Sequence, residues 1–254
     1  MRLTVLGCYG GIGGARRTTA LLLDEDILID AGSGVGDLTL EQMAKVDDVF
    51  LTHAHLDHSG FLPLLADAVA FIRRRPLNVH ALPETIAALK NNMLNGALWP
   101  DYTVLPSVDN PYIRFIPLTC GATVQLGERR ITSLPARHAV PCAGYRADSG
   151  GGSFVYSGDT TDCEEFWAAL NRIDNLRYLM IETTFLNEAS ELARVSGHLT
   201  AGLLARGLTR LRRPVQLYIA HMEPGREERL MAEVIAACGA YQPQRLQQGQ
   251  QLVF

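Results

Sequence analysis

The chain has 254 residues, 47% of them hydrophobic and 20% charged, and no apolar run approaches the ~18 residues of a membrane span, so a membrane protein is not expected. The formal net charge is −4, from 23 basic and 27 acidic residues. That balance denies the chain the broad positive field used by sequence-independent nucleic-acid binders, and no stable nucleic-acid partner is expected.

Residues 1–6 alternate apolar and polar as a strand does and lack the basic start and apolar stretch of a secretory signal, which predicts a cytoplasmic protein. The glycine-rich stretch 7–14 follows that strand, but the residues after it, 18–23, read as another strand and not as a helix. It therefore fails the context test for a dinucleotide-binding turn, and its glycines are expected to let a tight loop pass close to a site. Arg16 and Arg17 beside it are expected to be a solvated surface pair. Strands over 19–23 and 27–29 complete an antiparallel meander, and Thr39 with Gln42 forms a capping box that opens a helix over 39–44. From there apolar strand-like runs at 49–52, 154–157, 178–182 and 217–220 are interleaved with amphipathic segments at 61–72, 84–94, 163–173, 200–211 and 227–237. The pattern predicts an α/β protein with mixed sheets, formed as one domain over 1–254, with no repeat or linker. His80, inside the strand-like 78–82, is expected to be structural. The most irregular stretch is 91–111, which carries Asn95, Trp99 and several prolines and is expected to be a functional loop or an exposed crossover. The five cysteines are an odd number with no C-x-x-C pair, which predicts reduced thiols in packing roles.

One motif stands apart from this pattern. His53-Ala54-His55-Leu56-Asp57-His58 directly follows the apolar strand, and four metal-ligating side chains in six residues cannot face a core without a cation to satisfy them. In an extended turn, alternate residues His53, His55 and Asp57 would point together, with His58 reaching a second ion. His138, Asp159 and His221 each follow a strand-like run. Sites in α/β sheets lie beyond the carboxyl ends of strands, so these three are expected at the same edge as the motif.

This order of ligands resembles that of the metallo-β-lactamase superfamily, as does the turn Ile29-Asp30-Ala31-Gly32. The resemblance covers essentially the whole chain. It implies a four-layer αβ/βα sandwich of two mixed β-sheets flanked by helices. It also implies that His53, His55 and His138 hold one ion and Asp57, His58 and His221 the other, with Asp159 between them. Two divalent metal ions are thus the expected cofactors. Zinc is the default for a nitrogen-rich site, and iron or manganese would accept the same ligands.

The second half resembles class II 3′,5′-cyclic-nucleotide phosphodiesterases through Ile181-Glu182-Thr183-Thr184-Phe185, Ser196-Gly197-His198-Leu199-Thr200 and Ala220-His221-Met222-Glu223-Pro224. Trp99-Pro100-Asp101-Tyr102 adds a further block. That likeness implies hydrolysis of cyclic AMP or cyclic GMP to 5′-monophosphates by a metal-bridging hydroxide. Asp57, His198 and Glu182 would carry the chemistry, and Trp99, Asn95 and Arg137 would contact the substrate. Trp99 would stack on a purine or else anchor its own loop or a second copy of the chain. Arg146, like Arg137, is read as flanking the His138 loop. The chain departs from that family at Ser59-Gly60, where an apolar residue is usual, and is there closer to ribonucleases. The rival reading is therefore a transfer-RNA 3′-processing ribonuclease, whose blocks Glu182 to Thr184 and His198 to Thr200 also resemble; no Lys/Arg-rich arm is present to hold a polyanion. A non-catalytic metal-binding sensor is the rival from another class, and it would more naturally have lost a ligand.

Overall fold

The computed structural model describes residues 1–254 and contains two seven-stranded sheets. The first half of the chain supplies β1 (Arg2–Gly7), β2 (Ala20–Leu23), β3 (Ile27–Ile29), α1 (Leu40–Lys45), β4 (Asp48–Phe50), α2 (Leu56–Ser59), α3 (Leu62–Val69), β5 (Leu77–Ala81), α4 (Pro83–Asn92) and β6 (Ile113–Pro117). The second half supplies β7 (Thr123–Leu126), β8 (Arg129–Pro135), β9 (Ala143–Asp148), β10 (Ser153–Tyr156), α5 (Glu164–Leu170), β11 (Leu176–Glu182), α6 (Ser190–Ser196), α7 (Ala201–Leu208), β12 (Gln216–Ala220), α8 (Glu227–Cys238), β13 (Gln244–Arg245) and β14 (Gln251–Val253). Strand order is β14-β1-β2-β3-β4-β5-β6 in one sheet and β13-β12-β11-β10-β9-β8-β7 in the other.

Both sheets are mixed. The pairs β1–β2 and β2–β3 are antiparallel, and β3 through β6 are parallel. Parallel strands covered on both faces need side chains that are apolar on both, and β3 and β4 are buried at every position. Three apolar clusters account for the layering. One, with Leu3, Ile29 and Phe50 from the first sheet and Tyr145, Phe154 and Met180 from the second, fills the space between the sheets. A second, with Leu28, Val49, Leu65 and Leu89, lies between the first sheet and its helices. The third, with Val155, Trp167, Leu204 and Val234, lies between the second sheet and α5, α7 and α8. This is the expected αβ/βα sandwich of two mixed sheets. No helix is long and apolar enough to cross a membrane.

Local signals behave as the residue chemistry dictates. Thr39 accepts from the Gln42 amide and the Gln42 side chain accepts from the Thr39 amide, closing the capping box at α1. His80 is buried, stacked on Phe50 at 4.4 Å with its Nε2 2.7 Å from Asp48, a structural role. Of the cysteines, Cys8, Cys142, Cys163 and Cys238 are buried, but Cys120 is exposed, so packing explains four of the five. The stretch 91–111 is folded back on the first helical layer, where Tyr102 is buried and its hydroxyl donates to Asp67.

Candidate metal centre

The motif 53–58 is extended only as far as His55, whose backbone is extended and caps α2; Asp57 and His58 lie in that short helix. The expected extended turn is corrected there, because a helical turn after His55 brings Asp57 to one side and buries His58. His138 lies in the segment after β8, Asp159 in the one after β10, and His221 directly follows β12, so all three reach the edge occupied by 53–58. The structure gathers the seven residues into two groups, His53, His55, His138 and Asp159, and Asp57, His58, Asp159 and His221. Within each group the ligand atoms lie within 4.8 Å of one another. Asp159 belongs to both.

What aims the imidazoles is a shell of partners behind them. His58 Nδ1 is 2.7 Å from Asp30 Oδ2, and a carboxylate can only accept, so Nδ1 carries the proton and Nε2 faces the group with a lone pair. Thr52 gives its hydroxyl proton to Asp30, at 3.0 Å, and accepts from His53 Nδ1, also at 3.0 Å. The Thr184 hydroxyl takes the same part for His221 Nδ1, at 2.9 Å, and the Gly197 carbonyl accepts from His138 Nδ1 at 3.1 Å. Four Nε2 atoms are thus presented inward. His58 Nε2 and His221 Nε2 stand 3.1 Å apart, and His138 Nε2 is 3.3 Å from His55 Nδ1. Two nitrogen lone pairs so placed repel unless a cation lies between them.

A metal ion fits these residues on a further observation: His53 Nε2 and Asp159 Oδ1 are buried with no hydrogen-bond partner in the chain. Orphaned buried atoms of this kind each cost about 1–3 kcal/mol unless a ligand satisfies them. Charge agrees with geometry. Burial holds His53, His55 and His138 below the usual histidine value, which keeps them neutral lone-pair donors. Burial opposes ionisation of Asp159, but the surrounding His221, His58 and His53 outweigh it and hold its carboxyl well below the ordinary range. His58 is the exception: burial opposes its charge, but the carboxylates of Asp159 and Asp30 prevail and raise it, so a cation at Nε2 would have to displace a proton there.

Backbone constraints keep the cradle narrow. Gly10, in the loop after β1, passes so close to His221 that a Cβ would come within 2.9 Å of its ring, whereas Gly13 and Gly14 have open space around them and serve the turn through their positive φ. Gly197 ends α6 with φ of 75°, and a Cβ there would be 2.8 Å from the Ala139 amide.

His198 lies between the two groups without belonging to either. Its ring stacks on His221 at 5.5 Å and meets His138 edge-on at 4.8 Å. Its Nδ1 lies 2.8 Å from Glu182 Oε1. Glu182 is fully buried, and its two oxygens also accept from the Thr160 amide and the Thr184 hydroxyl. Burial works against a charged His198 ring, but the adjacent Glu182 carboxylate prevails and pushes it up to about 9.

The residues expected to contact substrate lie outside the two ligand groups. Arg137 is exposed beside His138, its amide donating to Thr160 and its guanidinium only 4.0 Å from Glu165. Asn95 is exposed and turned onto its own loop, donating one amide N–H to the Asn91 carbonyl and accepting from the amides of Ala97 and Leu98. Trp99 packs against the cluster behind the first sheet. Arg146 is held by Asp148 and Asn175 on the second sheet and does not flank the His138 loop. Arg16 and Arg17 are paired with Glu227 and Asp37. Sequence reading passed over the orienting roles of Asp30, Thr52 and Thr184. The signal available was that each ligating histidine needs an acceptor for its second nitrogen, and threonines adjoin the motif residues.

Comparison with known proteins agrees with this architecture. A model described as Beta-lactamase superfamily domain matches residues 25–222. Ribonuclease BN of Cronobacter sakazakii is 29% identical over 160 residues, 58% of this chain and 49% of that protein, so this chain spans only about half of it. Ribonuclease Z of Bradyrhizobium diazoefficiens is 26% identical over 91% of this chain and 93% of its own. Among solved structures, unliganded yeast PDE1 superposes with a TM-score of 0.81 over 100% of this chain and 99% of its own, at 15% identity.

Proposed function

The chain belongs to the beta-lactamase superfamily, and from that premise we propose that it is a metal-dependent phosphodiesterase that opens 3′,5′-cyclic nucleotides to 5′-monophosphates. The observation that carries this reading is the buried Glu182–His198 pair set against both metal-ligating groups. Two divalent ions held by the seven ligands, zinc being the default, supply Lewis acidity that lowers the pKa of a water and offsets phosphate charge. Ring opening places the water oxygen on phosphorus and breaks the bond to O3′, which then needs a proton. His198 is built to give one. Its Nδ1 proton is committed to Glu182, so Nε2 is the end left for the substrate, and the carboxylate keeps the ring charged. Glu182 is a positioning residue, locked by Thr160 and Thr184 and out of reach of solvent.

The choice of cyclic nucleotides is supported by the blocks around Trp99, Glu182 and His198 and by the net charge of −4. A transfer-RNA 3′-processing ribonuclease is the second reading, favoured by the matched ribonucleases and by Ser59-Gly60. The deciding experiment incubates metal-replete protein with cyclic AMP, cyclic GMP, a precursor transfer RNA, a thioester and a lactam. We expect 5′-monophosphate from a cyclic nucleotide; a cut precursor RNA with untouched cyclic nucleotides would reverse the ranking.

A further inference from the structure

Two buried carboxylates stand behind the ligand shell, and each reaches a ligating histidine through a threonine. Asp30 holds His58 directly and His53 through the Thr52 hydroxyl, so both of its histidines are candidate ligands. Glu182 is connected differently. One of its oxygens takes the Nδ1 proton of His198, which is no ligand, and the other is linked by Thr184 to the ligand His221.

A hydroxyl has one proton and two lone pairs, which fixes the direction of this chain of bonds. His221 turns Nε2 towards His58, so its Nδ1 carries the proton and Thr184 Oγ1 accepts it at 2.9 Å. The hydroxyl proton then has two acceptors at 3.1 Å, the His221 carbonyl and Glu182 Oε2, and the charged one is the stronger. Thr184 Oγ1 is the one side-chain atom that hydrogen-bonds both a ligating histidine and Glu182. The placement of Thr184 does not rest on that hydroxyl. The residue is buried, and its amide and that of Phe185 both donate to the Leu199 carbonyl.

Resting in its acid step on the phosphodiesterase reading above, we propose that Thr184 is a positioning residue that joins the metal centre to the proton donor. Through it the Glu182 carboxylate sets the tautomer and tilt of His221, while the same carboxylate sets those of His198. Metal affinity at the Asp57, His58 and His221 group and alignment of the acid therefore depend on one hydroxyl. His53 and His138, in the other group, have acceptors of their own in Thr52 and the Gly197 carbonyl, so that group should not feel its loss.

The test compares Thr184→Val, which keeps the branched shape without the hydroxyl, with Thr184→Ser, which keeps the hydroxyl. Stepwise zinc dissociation constants are measured by competition with a chromophoric chelator. The kcat and KM at saturating zinc are measured for a cyclic nucleotide and for a nitrophenyl phosphodiester. Thr184→Val should weaken one zinc ion by ~10–100-fold, the usual effect of removing an outer partner of a ligating histidine, and leave the other as in wild type. At saturating zinc its kcat should fall on the cyclic nucleotide and much less on the nitrophenyl ester, whose leaving group needs little protonation. Thr184→Ser should return these values towards wild type. Unaltered zinc constants, equal weakening of both ions, equal losses on the two substrates, or a serine variant that behaves as the valine one would overturn the proposal. Should Thr184→Val fail to melt cooperatively, Thr184→Ala carries the same two readings. If metal-replete wild type turns over no cyclic nucleotide, the phosphodiesterase reading falls and takes the acid step with it, whereas the zinc constants still decide the link to His221.

Discussion

His198 touches both halves of the metal cradle, stacked on His221 and edge-on to His138, and neither through a ligating atom, so its substitution separates proton donation from metal binding. His198→Ala should leave the fold and bound metal intact. It should lower turnover of a cyclic nucleotide by ~10²–10⁴-fold, the usual contribution of a positioned acid. A nitrophenyl phosphodiester has a leaving group that needs little protonation, so its turnover should drop far less. Equal losses on the two substrates, or metal missing from the variant by elemental analysis, would return His198 to a structural role. At this scale much was readable in advance. His53 to His58 declare themselves because four ligating types in six residues have no apolar alternative. Asp30, Thr52 and Thr184 do not, since a lone aspartate or threonine is common everywhere and acquires its role only when a histidine nitrogen arrives beside it.

Among the elements, the contact of α5 with α7 is a tight place to probe. Gly207 on α7 faces Trp167 on α5, and a Cβ there would lie 2.4 Å from the indole ring. Glycine in a helix costs ~1 kcal/mol relative to alanine, but Trp167 is fully buried and cannot swing away, so overpacking of roughly 1–3 kcal/mol should win. Gly207→Ala should therefore lower Tm by a few degrees in a thermal melt, and Trp167→Phe added to it should recover part of the loss. A variant as stable as wild type would show that α5 and α7 can shift apart. The helices themselves were foreseeable: 163–173 and 200–211 carry an amphipathic period, and the structure forms α5 and α7 within them, a few residues shorter. The strands β6, β7, β13 and β14 were not, because short or half-exposed strands carry little period of their own and are defined by their partners, and β9 was not, because its glycine, arginine and aspartate break the apolar run that its buried position would otherwise show.

For the whole molecule, the ligands tie the two sheets together, since His53 to His58 follow the first sheet's β4 while His138, Asp159 and His221 follow strands of the second. Ions bound across that seam stabilise the folded state alone. At a thousandfold excess over Kd the gain is about 4 kcal/mol, on the order of 10 °C in Tm for a chain of this size. Chelation should lower Tm by that order and added zinc should restore it, both read by calorimetry without any substrate. A melt unmoved by chelator, in protein shown by elemental analysis to have lost its metal, would mean that the ions do not bridge the sheets.

By itself the sequence determined what is local: the ligating residue types, the alternation that makes β1 and the apolar runs that make β3 and β4, the capping box of α1, and the glycines that admit a close loop. These follow from side-chain chemistry and periodicity, which neighbouring residues suffice to express. The tertiary structure decided what depends on distant pairing. It set which histidines share Asp159, and which nitrogen each imidazole turns inward. It also kept Asn95, Trp99 and Arg146 with partners of their own. An imidazole offers two equivalent-looking nitrogens, and only a partner fixed by the fold, such as Asp30 behind His58, breaks the tie.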